Sequence, residues 1–150
     1  MEKCNLCPRK CGIDRSKTVG FCGVNEKIKI ALFGLLQWEE PCISYGKGSG
    51  TIFFSGCNLR CCYCQNYDIS TCGVGKLYDT QEVVDVIKDL EKQGATNINL
   101  VTPTHYIKQL VEVFKIYKPS IPIVYNSSGY DDVDALKLID KYIDIYLVDF

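Results

Sequence analysis

Residues 51–66 read TIFFSGCNLRCCYCQN, a short apolar run that leads directly into a loop with four cysteines. Residues 51–54 are typical of a buried strand, because the run is short and apolar and the sequence then turns to Ser and Gly. In the loop, Cys57, Cys61 and Cys64 follow the spacing C-x3-C-x2-C. The stretch therefore predicts a buried strand that ends at a cluster of thiols.

The three spaced cysteines predict a [4Fe–4S] cluster, since thiolates are the ligands of such clusters. They supply three ligands, so one iron stays open to a further ligand, as one position stays open in catalytic zinc sites. Cys62 is interpreted as a packed free thiol, because adjacent cysteines do not easily point at one cube. The alternative, a zinc knuckle or loop-capping thiols, is disfavoured by the apolar strand in front, since loops after barrel strands carry chemistry.

The composition fits one globular domain without a strong charge. Of the 150 residues, 47% are apolar and 23% are charged, with 17 Lys and Arg against 18 Asp and Glu. The chain therefore has no strong net positive charge that would attract nucleic acid or an anionic membrane. No apolar run approaches the ~20 residues that span a bilayer, and the N-terminus has no apolar signal core. We predict a cytoplasmic protein whose ten cysteines serve mainly as metal ligands in a reducing compartment.

Strands and helices alternate after residue 51, which predicts an α/β fold of parallel βαβ units. A further short strand is predicted earlier, over residues 27–33. One helix has a capping box at Asp79 and Glu82 and stops at Gly94. The other predicted strands cover about 51–54, 97–101, 121–125 and 143–148, and the helices about 80–93, 107–114 and 132–139.

Two regions are expected. Residues 1–50 form a Cys-rich N-terminal extension, and residues 51–150 the first part of a (β/α) barrel of which about four strands are present. A complete (β/α)₈ barrel needs at least ~200 residues. The chain stops at Phe150 directly after a strand, which leaves an unprotected edge. We therefore expect a truncated barrel whose C-terminal half is missing, in a fragment that associates and turns over poorly.

The N-terminal cysteines form a second candidate metal site. Cys4, Cys7 and Cys11, with Cys22 further on, supply four thiolates, enough for a closed zinc site or an auxiliary iron–sulfur cluster. Their spacing does not match known ribbons or cluster runs, so packed thiols remain the alternative. Cys42 and Cys72 are expected to be unliganded.

The loop resembles the signature of the radical SAM superfamily, in which an aromatic residue, here Tyr63, precedes the last cysteine. The longer resemblance is to the pyruvate formate-lyase activating enzyme-like Fe–S proteins. It extends over almost the whole chain and rests on the segments FFSGCNLRCCYCQN (53–66), CPRKCG (7–12), WEEPC (38–42), NINLVTPTH (97–105) and VYNSSGY (124–130).

The resemblance implies a partial (β/α)₆ barrel with a [4Fe–4S] cluster that binds the amine and carboxylate of S-adenosylmethionine. A one-electron reductant of the flavodoxin or ferredoxin type would supply the electron. Cleavage of the sulfonium would yield a 5′-deoxyadenosyl radical that abstracts a hydrogen atom. In the activating enzymes the target is a glycine of a glycyl radical enzyme; a small molecule or another protein remains open here.

The resemblance also implies cofactor contacts, the first of them Tyr63 near the adenine. Thr102 stands where the family has a Gly-Gly-Glu turn for the methionyl amine, and Pro103 after it donates no backbone hydrogen bond. His105 is either a helix-start residue or a proton or hydrogen-bond partner in the site. Asn126 and Ser128 match a ribose- or carboxylate-binding turn, although such residues favour turns anyway. Asp149 matches a Leu-Asp-Leu-Lys strand end whose lysine would follow Phe150.

A non-enzymatic function stays open as an alternative. In it the chain is a metal-ribbon binding module that uses the basic residues of its first 29 positions to hold a partner or RNA. Iron and sulfide in the purified protein, against zinc alone, would separate the two functions.

Overall fold

The apolar run of residues 51–54 lies inside a six-stranded sheet in the computed structural model, which describes residues 3–149. The strand order is β3-β1-β2-β4-β5-β6. The strands are β1 Ile28–Leu36, β2 Ser49–Phe54, β3 Lys76–Tyr78, β4 Ile98–Val101, β5 Ile123–Ser127 and β6 Ile145–Val148.

The pairing confirms the predicted parallel units on one side of β2. Strands β2, β4, β5 and β6 are parallel. On the other side, β1 pairs antiparallel with both β2 and β3. The sheet is open, with β3 and β6 at its edges, so residues 3–149 do not close into a barrel. The predicted partial barrel stays a prediction, and the chain end at Phe150 lies outside the described residues.

The helices are α1 Tyr67–Ser70, α2 Thr80–Gln93, α3 Ile107–Ile116 and α4 Val133–Ile139. Helix α2 begins with the predicted capping box, in which Asp79 and Glu82 each accept the other's backbone N–H. It ends at Gly94, whose φ of +93° is favourable only for a residue without Cβ. Within the described residues, no helix is both long and apolar enough to cross a bilayer.

The core lies between the sheet and helices α2, α3 and α4. Alternate strand residues point to opposite faces, so Ile52 and Leu100 pack with Ile87 and Leu110 of the helices. The other face, which we call the cleft face, carries Thr51, Phe53, Asn99, Val101 and Asn126. The apolar face therefore anchors the strands, and the more polar cleft face is free to form a site.

Candidate cofactor site at the ends of the parallel strands

A cleft of about 440 Å³ lies on the cleft face near the ends of the parallel strands. Its volume falls in the range of small-molecule sites. The lining residues come from β1 and the segment after it, from β2, and from the segments that follow Cys64, β4, β5 and β6: Leu36, Trp38, Glu39, Phe53, Gln65, Asn66, Val101, Thr102, Asn126, Ser127, Ser128 and Asp149.

Four of the six predicted cofactor contacts meet in this cleft. Thr102, Asn126, Ser128 and Asp149 all line it. They come together because β4, β5 and β6 are parallel and in register, so that their carboxyl ends reach one edge of the sheet. A small ligand in the cleft would meet hydroxyl, amide and carboxylate groups at once.

The cysteine loop borders the same cleft. Cys57, Cys61 and Cys64 are each half-buried. Phe53 before the loop and Gln65 directly after Cys64 both line the cleft. In residues 3–149 no group of three or more His, Cys, Asp or Glu side chains stands as a ready cage for a metal ion. The chemistry of the donor set nevertheless fits an iron–sulfur cluster, because three accessible thiols lie on one short loop.

Two of the three sulfur atoms receive hydrogen bonds from the chain itself. The Leu59 backbone N–H donates to Cys57 Sγ at 3.4 Å, and the Ser70 hydroxyl donates to Cys64 Sγ at 3.3 Å. Donors of this kind tune the potential of a bound cluster. The chain itself thus supplies a hydrogen-bond donor to two of the three candidate ligands.

The neighbours Cys62 and Tyr63 differ from their sequence interpretation. Cys62 was interpreted as packed, but its side chain is exposed. Tyr63 is 82% exposed and does not line the cleft. Cys57, Cys61 and Cys64 of the same loop are less exposed than either of these two neighbours. The contact between Tyr63 and an adenine stays a prediction.

His105 lies under the cysteine loop, outside the set of residues that line the cleft. Its Nε2 donates to the Ser55 carbonyl at 2.9 Å, and its own carbonyl accepts from Arg15 at 2.5 Å. Burial lowers the pKa of His105 to about 4. The imidazole is therefore neutral, and its hydrogen bond holds the backbone at Ser55, just before the cysteine loop. His105 itself lies in the short 3₁₀ turn Thr104–Tyr106 that precedes α3.

Sequence reasoning assigned no role to Asp131, which organises the turn after β5. Its carboxylate accepts from the hydroxyls of Tyr125 at 2.8 Å, Ser127 at 2.5 Å and Thr104 at 2.5 Å. Asn58 of the cysteine loop also donates to the Tyr130 carbonyl at 2.7 Å. The turn that carries Asn126 and Ser128 is thereby tied to the cysteine loop.

Two further polar groups of the cleft face were also missed. Glu39 lines the cleft and hydrogen-bonds Thr51; burial and the nearby Asp149 raise the pKa of its carboxyl group. The two polar atoms of the Asn99 amide are buried without a partner among the described residues. Glu39 belongs to the WEEPC segment (38–42) on which the family resemblance partly rests. Nothing in the sequence indicated that its carboxyl group hydrogen-bonds Thr51 of β2.

The N-terminal cysteines line a different pocket. Cys4, Cys7, Cys11 and Cys22 share it with Arg15 and His105. Cys42 and Cys72 are exposed and belong to neither site.

Comparison with known proteins identifies a family. The family model of the Radical SAM superfamily matches residues 51–150. The chain is also 31% identical, over 158 aligned residues, to an uncharacterized protein of Methanocaldococcus jannaschii, MJ0674. The alignment covers 99% of this chain and 45% of that protein, so the chain spans less than half of its relative's length. No solved structure matches.

Proposed function

Because the chain belongs to the radical SAM superfamily, we propose that it binds a [4Fe–4S] cluster through Cys57, Cys61 and Cys64 and S-adenosylmethionine in the adjoining cleft. One observation carries this proposal: a loop with three half-buried thiols is flanked by Phe53 and Gln65, and both of these residues line a 440 Å³ cleft at polar strand ends. A bound, reduced cluster would supply one electron to the sulfonium, and breakage of its C–S bond would leave methionine and a 5′-deoxyadenosyl radical for hydrogen abstraction.

The residues of the cleft match the polar groups of S-adenosylmethionine. Asp149 and Glu39 place carboxyl groups where a cationic amine or sulfonium gains from a nearby negative charge. Asn126 and Ser128 offer amide and hydroxyl groups to a ribose or a carboxylate. The unpartnered Asn99 amide on the same face also favours a polar ligand, because buried amides are normally satisfied.

Apolar residues of the cleft would keep water from the reacting groups. Phe53 and Val101 line its floor from neighbouring strands, and Leu36 contributes from β1. Excluding water strengthens each electrostatic contact and protects a reactive radical. The chain would thus position the ligand and shield it, while the bound groups supply the radical chemistry.

The resemblance to activating enzymes extends the proposal to a substrate. We propose hydrogen abstraction from a glycine of a partner protein, with a flavodoxin- or ferredoxin-type reductant, in the cytoplasm. Pro103 in place of a glycine-rich turn is a departure from that group, and it favours a methionyl amine held by carbonyl oxygens. A non-glycyl substrate is the alternative within the same chemistry.

Anaerobic reconstitution tests the cluster. We expect about four iron and four sulfide per chain and an electron paramagnetic signal that changes on addition of S-adenosylmethionine. Replacement of Cys57, Cys61 or Cys64 by Ala should abolish the cluster. Cys62→Ala is the matched control, since this exposed thiol lies in the same loop. Unchanged iron in all three variants, or zinc alone in the parent chain, would favour the metal-ribbon alternative.

The cleft is tested by its ligand. Asn126→Ala should weaken binding of S-adenosylmethionine about tenfold, the effect of one lost hydrogen bond of about 1.4 kcal/mol, while the cluster content stays unchanged. Gln93→Ala, exposed at the end of α2, serves as control. Equal affinity in both variants would exclude the cleft as the binding site.

A further inference from the structure

The four N-terminal cysteines come from distant points of residues 4–22 and meet in one pocket. Cys7 and Cys22 are buried, Cys4 is half-buried and Cys11 is exposed. All four residues line this one pocket, although residues 3–149 contain no ready cage of three or more such side chains, so the thiols would have to close around an ion as it binds.

The backbone holds this group in a tight hairpin. The Cys4 N–H donates to the Ile13 carbonyl at 2.8 Å, and the Gly12 N–H donates back to the Cys4 carbonyl at 3.0 Å. At the tip, the Lys10 N–H donates to the Cys7 carbonyl at 3.0 Å. The backbone of Arg9 also hydrogen-bonds the Cys7 thiol and stabilises its thiolate form.

The hairpin tip repeats the geometry of the cluster loop. Cys7 and Cys11 have the spacing C-x3-C, as Cys57 and Cys61 do. In both turns the first sulfur is hydrogen-bonded by the backbone two residues later. The residue before the second cysteine has a positive φ in both, +43° at Lys10 and +56° at Arg60.

These left-handed conformations are informative because side chains disfavour them. Lys10 and Arg60 are the two non-glycine residues of positive φ between residues 3 and 149. Strained backbone of this kind persists where the surroundings require it, most often at functional sites. The two C-x3-C turns thus share the same uncommon backbone conformation before their second cysteine.

The surroundings of the two turns differ in the space they leave, and this space determines which metal group fits. The N-terminal pocket encloses about 10 Å³, the lower limit for one water molecule. A cube of eight iron and sulfide atoms does not fit such a space, whereas one ion among four thiolates does. Zinc takes four thiolates in a closed tetrahedron. We propose that Cys4, Cys7, Cys11 and Cys22 bind one zinc ion.

A buried cation balances the charge of this site. Four thiolates around one divalent ion leave a net charge of about minus two, which is costly in a closed pocket. Arg15 lines the pocket and is buried. The pocket thus contains the counter-charge that a four-thiolate site needs.

The zinc site anchors the start of the cluster loop. The Cys57 N–H donates to the Cys22 carbonyl at 3.3 Å, and Arg9 Nε donates to the Asn58 carbonyl at 2.9 Å. A closed site with no free coordination position contributes folding energy rather than chemistry. Its function here is to hold the polypeptide against which the cluster loop rests.

Elemental analysis of the chain, purified with zinc and without iron, tests the site. We expect one zinc per chain, and at least a tenfold loss of zinc affinity in Cys11→Ser. Cys11 is exposed, so this substitution leaves the core intact, which circular dichroism would verify. Cys42→Ser and Cys72→Ser, also exposed, should retain zinc. Equal zinc content in all variants, or none in the parent chain, would overturn the proposal.

Thiol alkylation followed by mass spectrometry locates the ion without any substitution. Zinc should protect Cys4, Cys7, Cys11 and Cys22, and a chelator should remove that protection. Protection at Cys57, Cys61 and Cys64 instead would refute the assignment. Because no iron is present, this result is independent of whether the chain assembles a cluster or binds S-adenosylmethionine.

Discussion

The two C-x3-C turns have a similar local backbone conformation but differ in the space around them. The turn at Cys57 carries three spaced thiols and borders a cleft of about 440 Å³. The turn at Cys7 belongs to a group of four thiols around a space of about 10 Å³. Catalytic metal sites keep a position free and structural ones do not. The number of thiols and the adjoining space, rather than the turn itself, distinguish the proposed functions.

The two turns are also physically joined. Gly56 lies between the Cys22 carbonyl and the Val24 side chain, and a Cβ at position 56 would stand 2.5 Å from that carbonyl oxygen. Beneath the same point, His105 holds the Ser55 carbonyl. A substitution that disorders one turn should therefore disorder the other as well. Each contact between the two turns can be tested by its own substitution.

Replacing Gly56 with Ala should have the largest effect on this junction. The new methyl group would collide with Cys22 and Val24, and the φ of +85° is itself unfavourable for Ala. We expect a loss of about 4 kcal/mol in the free energy of unfolding, or failure to fold, by chemical denaturation. Gly34→Ala is the matched control, because no atom lies within 4 Å of its added Cβ. Equal stability of the two variants would show that the turns are not closely packed.

His105 should make stability depend on pH. Its folded pKa of about 4 lies below the ordinary 6.5, so the unfolded chain binds the proton more readily. The stabilisation is complete above pH 6.5 and is lost as the pH falls towards 4, by about 2 to 3 kcal/mol. Unfolding free energies at pH 7 and pH 4.5 would measure it. His105→Gln should show a shallower pH dependence, and an unchanged dependence would contradict a buried neutral imidazole.

Arg9→Lys should have the smallest effect and would sharpen the comparison of the two turns. The guanidinium lies 3.7 Å from the centre of the Phe21 ring and donates to the Asn58 carbonyl. Lysine keeps the charge but neither stacks nor reproduces this geometry. We expect a loss of about 1 kcal/mol in unfolding free energy and faster amide exchange in the cluster loop. Lys27→Gln alters an exposed residue and should change neither quantity. Faster amide exchange of the cluster loop in this control variant as well would rule out a specific link through Arg9.

Most elements after residue 51 could be predicted because their signals are local. The capping box at Asp79, the stop at Gly94 and the stripe of α3 depend on residues a few positions apart, and the structure confirms them. Helix α1 and strand β3 were missed because four and three residues carry no periodicity. The antiparallel pairing of β1 was missed because strand direction depends on the route of residues 37–48.

The residues of the candidate site likewise divide into those that the sequence indicated and those that it did not. Thr102, Asn126, Ser128 and Asp149 were implied by the family resemblance, and they meet in the cleft because their strands are parallel. Asp131 and Glu39 were missed, since each acts on partners from other elements. His105 follows a strand in the same manner, yet its ring turns under the loop to Ser55.

The sequence by itself pointed to the radical SAM superfamily, through its resemblance to that family, and to the cysteines that are candidate ligands, because spacing on one loop is a local property of the chain. Tertiary structure alone decided that Cys22 comes beside Cys7 and beneath Cys57. It also decided that the N-terminal thiols, two of them buried, share one small pocket, while the loop of the other group borders a cleft. Enclosure depends on which distant segments pack together, and packing is settled by the burial of apolar surface over the whole domain.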